Sequence, residues 1–300
     1  MHPTRSLLAA LVVLFLSTWS RPGECQTANP TEPKRGWLES WRSATFSFGQ
    51  VKNQSGRNYF EVIGTGVLIT PDKRTLYIVT AKHVLDDPKK KWHPREIRLR
   101  FAWQERSSVY DDLGIMVNLF DSSDKARWLA SEDGADLAAV PISIAELRAT
   151  GKPYAIHTEQ IVTPEDMFEG ATVIALGYPG IIGNEYLVRA IARGGIVGWL
   201  NPEDPYRKPF MIDANIYPGN SGGPVIKPPT GIDRDGGLNL GGRIRLMGIV
   251  SQAPGLDTDL ILSVPGAPQP LRIRQNVPLG GTGIIEPATK IPDLLKRFLK

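Results

Sequence analysis

From residue 59 onward the chain is a succession of short apolar or alternating runs: "YFEVIGTGVLIT" (59–70), "TLYIVTA" (75–81), "EIRLRFAW" (96–103), "GIMVNLF" (114–120), "DLAAVPI" (136–142), "ATVIALGYP" (171–179), "IARGGIVGWL" (191–200), "PFMIDANI" (209–216), "IRLMGIVSQ" (244–252) and "TGIIEP" (282–287). Gly, Pro, Asp and Asn punctuate them. Many short strands separated by turn residues, with few helical stretches, predict an all-β sandwich or barrel. Two segments depart from this pattern. "ELRATGKP" (146–153) falls between the two halves and reads as a crossover connection, whereas Ile291, Leu294, Leu295 and Phe298 recur at helical spacing and predict a short amphipathic closing helix. No repeat of fixed period and no low-complexity tract occurs.

The N-terminus follows another logic. A basic flank ending at Arg5, the apolar run "SLLAALVVLFLS" (6–17) and the small or polar "TWSRPGECQTA" (18–28) have the layout of a secretory signal peptide. The run is shorter than the roughly 20 residues of a bilayer-spanning helix, so residues 1–25 are read as a cleaved leader with no stable membrane insertion, and the protein as secreted or periplasmic. Residues 26–36 are polar and proline-containing and read as a linker, with order expected to begin near Trp37. The single cysteine, Cys25, lies beside the cleavage region, so the exported part has no internal disulfide. Glu24 directly before Cys25 speaks against a lipid anchor.

Charge narrows the partners. The formal net charge is +4, and removal of residues 1–25 takes away Arg5, Arg21 and Glu24 and leaves about +3. That small excess argues against a dedicated nucleic-acid partner, and the densest basic run, "DPKKKWHPR" (87–95), reads as a solvated loop.

Candidate chemistry centres on "YPGNSGGPVI" (217–226), where Ser221 sits among three glycines. Glycine lets another group approach the main chain closely, so backbone N–H groups can converge on an oxyanion beside the hydroxyl; the same composition also suits a plain Pro-Gly-Asn turn. A nucleophilic serine needs a base and a carboxylate. The histidines are His2, His83, His93 and His157, all before Ser221. This order excludes the α/β-hydrolase elbow that "GNSGG" also resembles, because there the histidine follows the serine. His2 leaves with the leader, and His93 and His157 read as surface residues. His83 ends the strand pattern "TLYIVTAKHV", where a rigid element would hold its ring. Asp136 precedes an apolar strand, and a half-buried carboxylate there needs a partner such as a histidine N–H. The order His83, Asp136, Ser221 is that of chymotrypsin-type barrels. Asp72 would fit the subtilisin order, but the β-rich pattern opposes that fold.

The motifs "TAKHV", "ADLAAV" and "GNSGGP" resemble those of trypsin-like serine proteases, and "GTGVLIT", "ALGYPG" followed by "GGIVG", "DANIYPGNSGGPV" and "GTGIIEPATKI" are similar to bacterial Deg/HtrA-type protease domains. The likeness runs from about residue 40 to 297, with no PDZ-sized segment after it. It implies two packed six-stranded antiparallel β-barrels, residues 37–150 carrying the His and Asp and residues 151–300 carrying the Ser and the C-terminal helix. The implied activity is serine endopeptidase acting on proteins or peptides through an acyl-enzyme, with Ser221 as nucleophile, His83 as base, Asp136 orienting it, and the N–H groups of Gly219 and Ser221 as the oxyanion hole. No metal or organic cofactor is required. Asn215, six residues before the serine, falls at the base of the primary pocket, with Ser251 as a second pocket residue; without an aspartate at 215, small or medium apolar side chains are expected at the cleaved position. Asn220 before the serine offers no charge for an inserted N-terminal amine, so activation by N-terminal cutting is not expected. "KPPTGIDRDGGLNLGGRIR" (227–245) is longer than the corresponding loop of such relatives and reads as a specificity loop or a hairpin. A non-catalytic binding module on the same fold is the rival reading, and an esterase a weaker third.

Overall fold

Strand alternation explains the first half of the molecule. The computed structural model describes residues 36–72, 74–101, 114–143, 147, 154–180, 189–262, 269, 271–278 and 280–299; the leader 1–25, His2, Cys25 and the linker lie outside them, as does the crossover segment 146–153 apart from Leu147. A helix α1 (Trp37–Ala44) buries Trp41 and Ala44 and leads into β1 (Thr45–Gln54), β2 (Arg57–Thr70) and β3 (Leu76–Thr80). A one-turn helix α2 (Lys82–Leu85) follows, then β4 (Glu96–Phe101), β5 (Ile115–Asn118), β6 (Leu129–Ala130), β7 (Ala138–Ile142) and β8 (Ile156–His157). They pair in the order β5-β4-β1-β2-β3-β7-β6, with β8 parallel to β2.

Both faces of this sheet are covered. Val67, Ile69, Tyr77, Val79 and Ala139 pack into one core cluster, while the intervening Leu68, Ile78, Ala138 and Val140 pack into another. Successive side chains point to opposite faces, so a strand buried on both sides reads as a continuous apolar run.

The second half closes on itself. Strands β9 (Thr172–Gly177), β10 (Ile191–Trp199), β11 (Phe210–Asp213) and β12 (Pro224–Lys227) are followed by two hairpin strands, β13 (Thr230–Ile232) and β14 (Leu238–Leu240). Then come β15 (Arg245–Gln252), a long hairpin of β16 (Gly255–Leu262) and β17 (Leu271–Pro278), and β18 (Thr282–Pro287). The closed barrel runs β10-β11-β18-β15-β12-β9. Its interior, including Val173, Val197, Phe210, Ile212, Val225, Ile249 and Ile285, is continuous with the cluster on the inner face of the first sheet.

A 3-10 turn (Ala288–Lys290) leads into helix α3 (Ile291–Lys296), which buries Ile291, Leu294 and Leu295. Phe298 packs against Tyr77 of β3 with the rings tilted by 41° and centroids 5.2 Å apart, so this end of the chain returns to the first sheet. Residues Trp37–Lys300 form one compact unit.

The all-β plan with a short C-terminal helix is thus the architecture the chain adopts. In detail, the six-stranded barrel closes in the second half, while the described strands of the first half form a curled eight-stranded sheet, because β6 and β8 add pairings at β7 and β2. The 227–245 loop is a hairpin whose Ile232, Leu238 and Leu240 are exposed.

Candidate active site

β3 carries the chain to His83. His83 lies just beyond the strand, on α2, rather than at the strand end itself. Thr80, the last residue of β3, donates its hydroxyl to the Thr65 carbonyl at 2.7 Å. Asp136 stands two residues before β7, and because β7 pairs with β3 the two residues meet. The His83 ring Nδ1 lies 2.8 Å from Asp136 Oδ2, the His83 N–H donates to Oδ1 at 3.0 Å, and the Lys82 N–H donates to the Asp136 carbonyl at 3.3 Å. An ionised carboxylate only accepts hydrogen bonds, so Nδ1 bears a proton, and in the neutral ring Nε2 is the acceptor.

Ser251, in the β15 bulge between Val250 and Gln252, donates its hydroxyl to Asp136 Oδ2 at 2.6 Å. Burial is the strongest single influence on Asp136 and pushes its carboxyl upward. The hydrogen bond and charge of His83, the Ser251 hydroxyl and the His83 N–H together outweigh it and hold the group below its ordinary value.

Ser221 reaches the same place from the closed barrel. Its hydroxyl donates to the Ser251 carbonyl at 3.1 Å, not to His83. Its own carbonyl accepts the Thr65 N–H at 2.7 Å. Gly64 marks how close the two halves come: a Cβ there would stand 2.8 Å from the Val84 methyls, next to His83, and 3.3 Å from the Ser221 carbonyl.

The serine turn is shaped by glycines. Gly219 and Gly222 take φ of +94° and +87°. A Cβ at Gly222 would lie 1.9 Å from the Thr65 carbonyl, so only glycine fits. The Asn220 N–H donates to Tyr217 O, the Gly222 N–H to Val250 O and the Gly223 N–H to Asn220 O, while the Gly219 carbonyl accepts the Thr65 hydroxyl. The Gly219 and Ser221 N–H groups have no acceptor among the described residues. Asn220 is 2% exposed, and its Oδ1 has no partner.

Of the other sequence candidates, Asn215 is exposed, and its Oδ1 and the Tyr217 hydroxyl lie 3.9 and 4.0 Å from the space beside Gly280. His93 pairs at the surface with Asp86 at 2.5 Å. His157 differs from its surface reading: it ends β8, and its ring accepts the Glu159 N–H at 3.2 Å. Asp72 is occupied by its own turn, accepting from Arg74 and Thr75.

Two features escaped the sequence reading. The Arg193 guanidinium lies 4.8 Å from the Tyr217 ring centroid, its buried Nε unpaired and its pKa lowered chiefly by burial. Glu286 accepts the Asp136 N–H at 3.1 Å. The signal for the second was a charge inside the apolar "TGIIEP".

Residues 64–231 match the family model of the Trypsin-like peptidase domain, over half of the 300-residue chain and with His83, Asp136 and Ser221 inside the match. An HtrA-like serine protease of Staphylococcus aureus, in strains USA300 and NCTC 8325 among others, is 27% identical over 175 residues; the match takes in 55% of this chain and only 18% of that protein. Among solved structures, the serine endoprotease from Yersinia pestis aligns over 89% of this chain and 67% of its own at 19% identity and a TM-score of 0.45. The HtrA-type protease AlgW with decapeptide aligns over 87% and 66% at 16% identity and 0.48. On the extent of the family match, the chain belongs to the trypsin-like peptidase family.

Proposed function

We propose that the protein is a serine endopeptidase in which Ser221, His83 and Asp136 act together through an acyl-enzyme. The observation that carries this reading is the doubly hydrogen-bonded His83–Asp136 pair, joined through Ser251 to the Ser221 hydroxyl. For attack, the Ser221 hydroxyl leaves the Ser251 carbonyl and turns to His83 Nε2. A neutral hydrogen bond contributes about 1 kcal/mol, so the turn is cheap. His83 takes the proton, the Ser221 oxygen bonds to the peptide carbonyl carbon, and the Gly219 and Ser221 N–H groups receive the oxyanion. His83 then returns the proton to the leaving amine, and water repeats the sequence to free the acid. Asn215 and Ser251 border the proposed pocket for the side chain at the cleaved bond. We further propose export, with residues 1–25 as the leader; N-terminal sequencing of the mature protein tests it.

The Ser221 hydroxyl, facing Ser251 and not His83, is the one feature that favours a non-catalytic module. Casein digestion and fluorophosphonate labelling followed by intact mass measurement decide between them. Ser221→Ala and His83→Ala should each remove nearly all cleavage, about 10⁴-fold or more, and the double variant should lose little further, because the residues act as a unit. Casein cleavage persisting in Ser221→Ala sinks the assignment.

A further inference from the structure

The Glu286 carboxylate is the one charge in β18 of the closed barrel, and the residue is 5% exposed. A buried carboxylate is costly without a partner. Lys290, 7% exposed, supplies one: its Nζ lies 3.3 Å from Glu286 Oε2 and 3.0 Å from Asp133 Oδ2. Asp133 in turn accepts the Ala135 N–H at 3.1 Å and the Ser131 hydroxyl at 2.7 Å. Arg297 adds a second tie to the same loop, pairing with Glu132 at 2.9 Å and donating to the Ala130 carbonyl.

All these contacts converge on the segment that presents Asp136. β15 and β18 are paired, with Ile249 opposite Glu286 and a bulge at Ser251. This strand pair therefore meets Asp136 with two complementary groups: the Ser251 hydroxyl donates to its carboxylate, and Glu286 Oε1 accepts its main-chain N–H. The His83 ring and N–H take the remaining side of the carboxylate. Asp136 is held both by the element it orients and by the barrel that carries Ser221.

We propose that Glu286 and Lys290 are positioning residues for Asp136: Glu286 fixes its main chain, and Lys290 holds the Glu286 carboxylate in place by its ion pair while tying Asp133 to the same point. The inference rests on the reading of Asp136 as the carboxylate that orients His83. The charged groups facing Glu286 are Lys290, the Asp133 and Asp136 of the loop before β7 and, beyond Asp136, His83 on α2.

The test uses the full mature chain. Lys290→Met leaves an uncompensated negative charge beside the His83–Asp136 pair, so the His83 ring, followed by NMR in a Ser221→Ala background, should titrate about half a pH unit or more higher than in the parent. The acid limb of kcat/KM should move the same way. Glu286→Gln keeps an acceptor for the Asp136 N–H and should lower kcat less than about threefold, whereas Glu286→Leu, which leaves that N–H unpaired, should lower it about tenfold or more at constant KM. Glu286→Leu with Lys290→Met exchanges the buried pair for apolar groups and should recover the melting temperature but not kcat. A merely structural pair predicts that both recover. A folded double variant with parental kcat, or Lys290→Met with an unmoved His83 titration, overturns the proposal. Should Glu286→Leu fail to fold, the Lys290→Met titration decides alone. The NMR arm needs no turnover, so an inactive parent would refute the peptidase reading without masking this one.

Discussion

At the scale of single residues, charge around Asn215 sets an expectation for specificity. Asn215 is uncharged, and Tyr217, two residues on, carries the Arg193 guanidinium over its ring. Arg193 shares the inner face of β10 with Val197, whereas Asp213 is exposed on the outer face of β11 beside the buried Ile212. With an uncharged residue at 215, the proposed pocket has no carboxylate at its base to pair with a basic side chain. Peptides differing only at the cleaved position should be cut after Leu at least about tenfold faster than after Arg or Lys, since an ion pair or its absence shifts binding by about 1.4 kcal/mol or more. Asn215→Asp supplies the missing carboxylate and should raise cleavage after Arg and Lys about tenfold. Parental preference for Arg or Lys, measured by mass spectrometry of a digested denatured protein, contradicts this.

At the scale of elements, the serine turn is the part least able to change. Gly222 occupies left-handed backbone space against the Thr65 carbonyl inside β2 and the hydroxyl of Thr80, which ends β3 just before His83. Gly222→Ala forces the turn away from β2. Strain of this kind costs about 1–3 kcal/mol, and the displaced Ser221 should lose more than about hundredfold in kcat, because catalysis depends on sub-ångström placement. Thermal melting and casein turnover check the two halves of the statement; parental kcat in Gly222→Ala would show that the turn tolerates the shift. The closing helix is an element of the same importance, since Phe298 on Tyr77 and Arg297 on the 130–132 segment bring the chain end back to the first sheet.

At the scale of the whole molecule, acid is the condition to which the fold is most exposed. Asp133, Asp136 and Asp166 all ionise more readily in the folded chain than at their ordinary value near 3.8, Asp133 down to about 2. For each, burial is the largest influence and opposes the shift, and the hydrogen bonds and cations of Ser131 and Lys290, of His83 and Ser251, and of Lys227 overcome it. A carboxylate with a depressed folded pKa takes up its proton first in the unfolded chain, so the stability it confers is complete above about pH 5 and drains away as pH falls from about 4 to 2. The melting temperature should hold between pH 7 and 5 and fall steeply below 4. Asp133→Asn should melt lower at pH 7 and lose less on acidification; an identical slope would remove Asp133 from the account.

The short runs and their glycine and proline punctuation made the all-β plan readable from the sequence, because strand burial and turn geometry depend on neighbours in the chain. The candidate nucleophile, base and carboxylate could be picked out for a related reason: each role calls for a particular chemical group on a stiff local flank, as in "TAKHV" at the end of β3, "GADL" before β7 and "GNSGG". What tertiary structure decided was which groups meet. Asp136 and Glu286 are 150 positions apart, and Ser221 and Ser251 are 30 apart. These contacts arise because β15 pairs with β18 and bulges at Ser251, which brings Ser251 and Glu286 together at the loop before β7. Hydrogen bonds of this reach follow from strand register and barrel closure, which are set by the summed packing of many side chains, and no short stretch of sequence carries that sum.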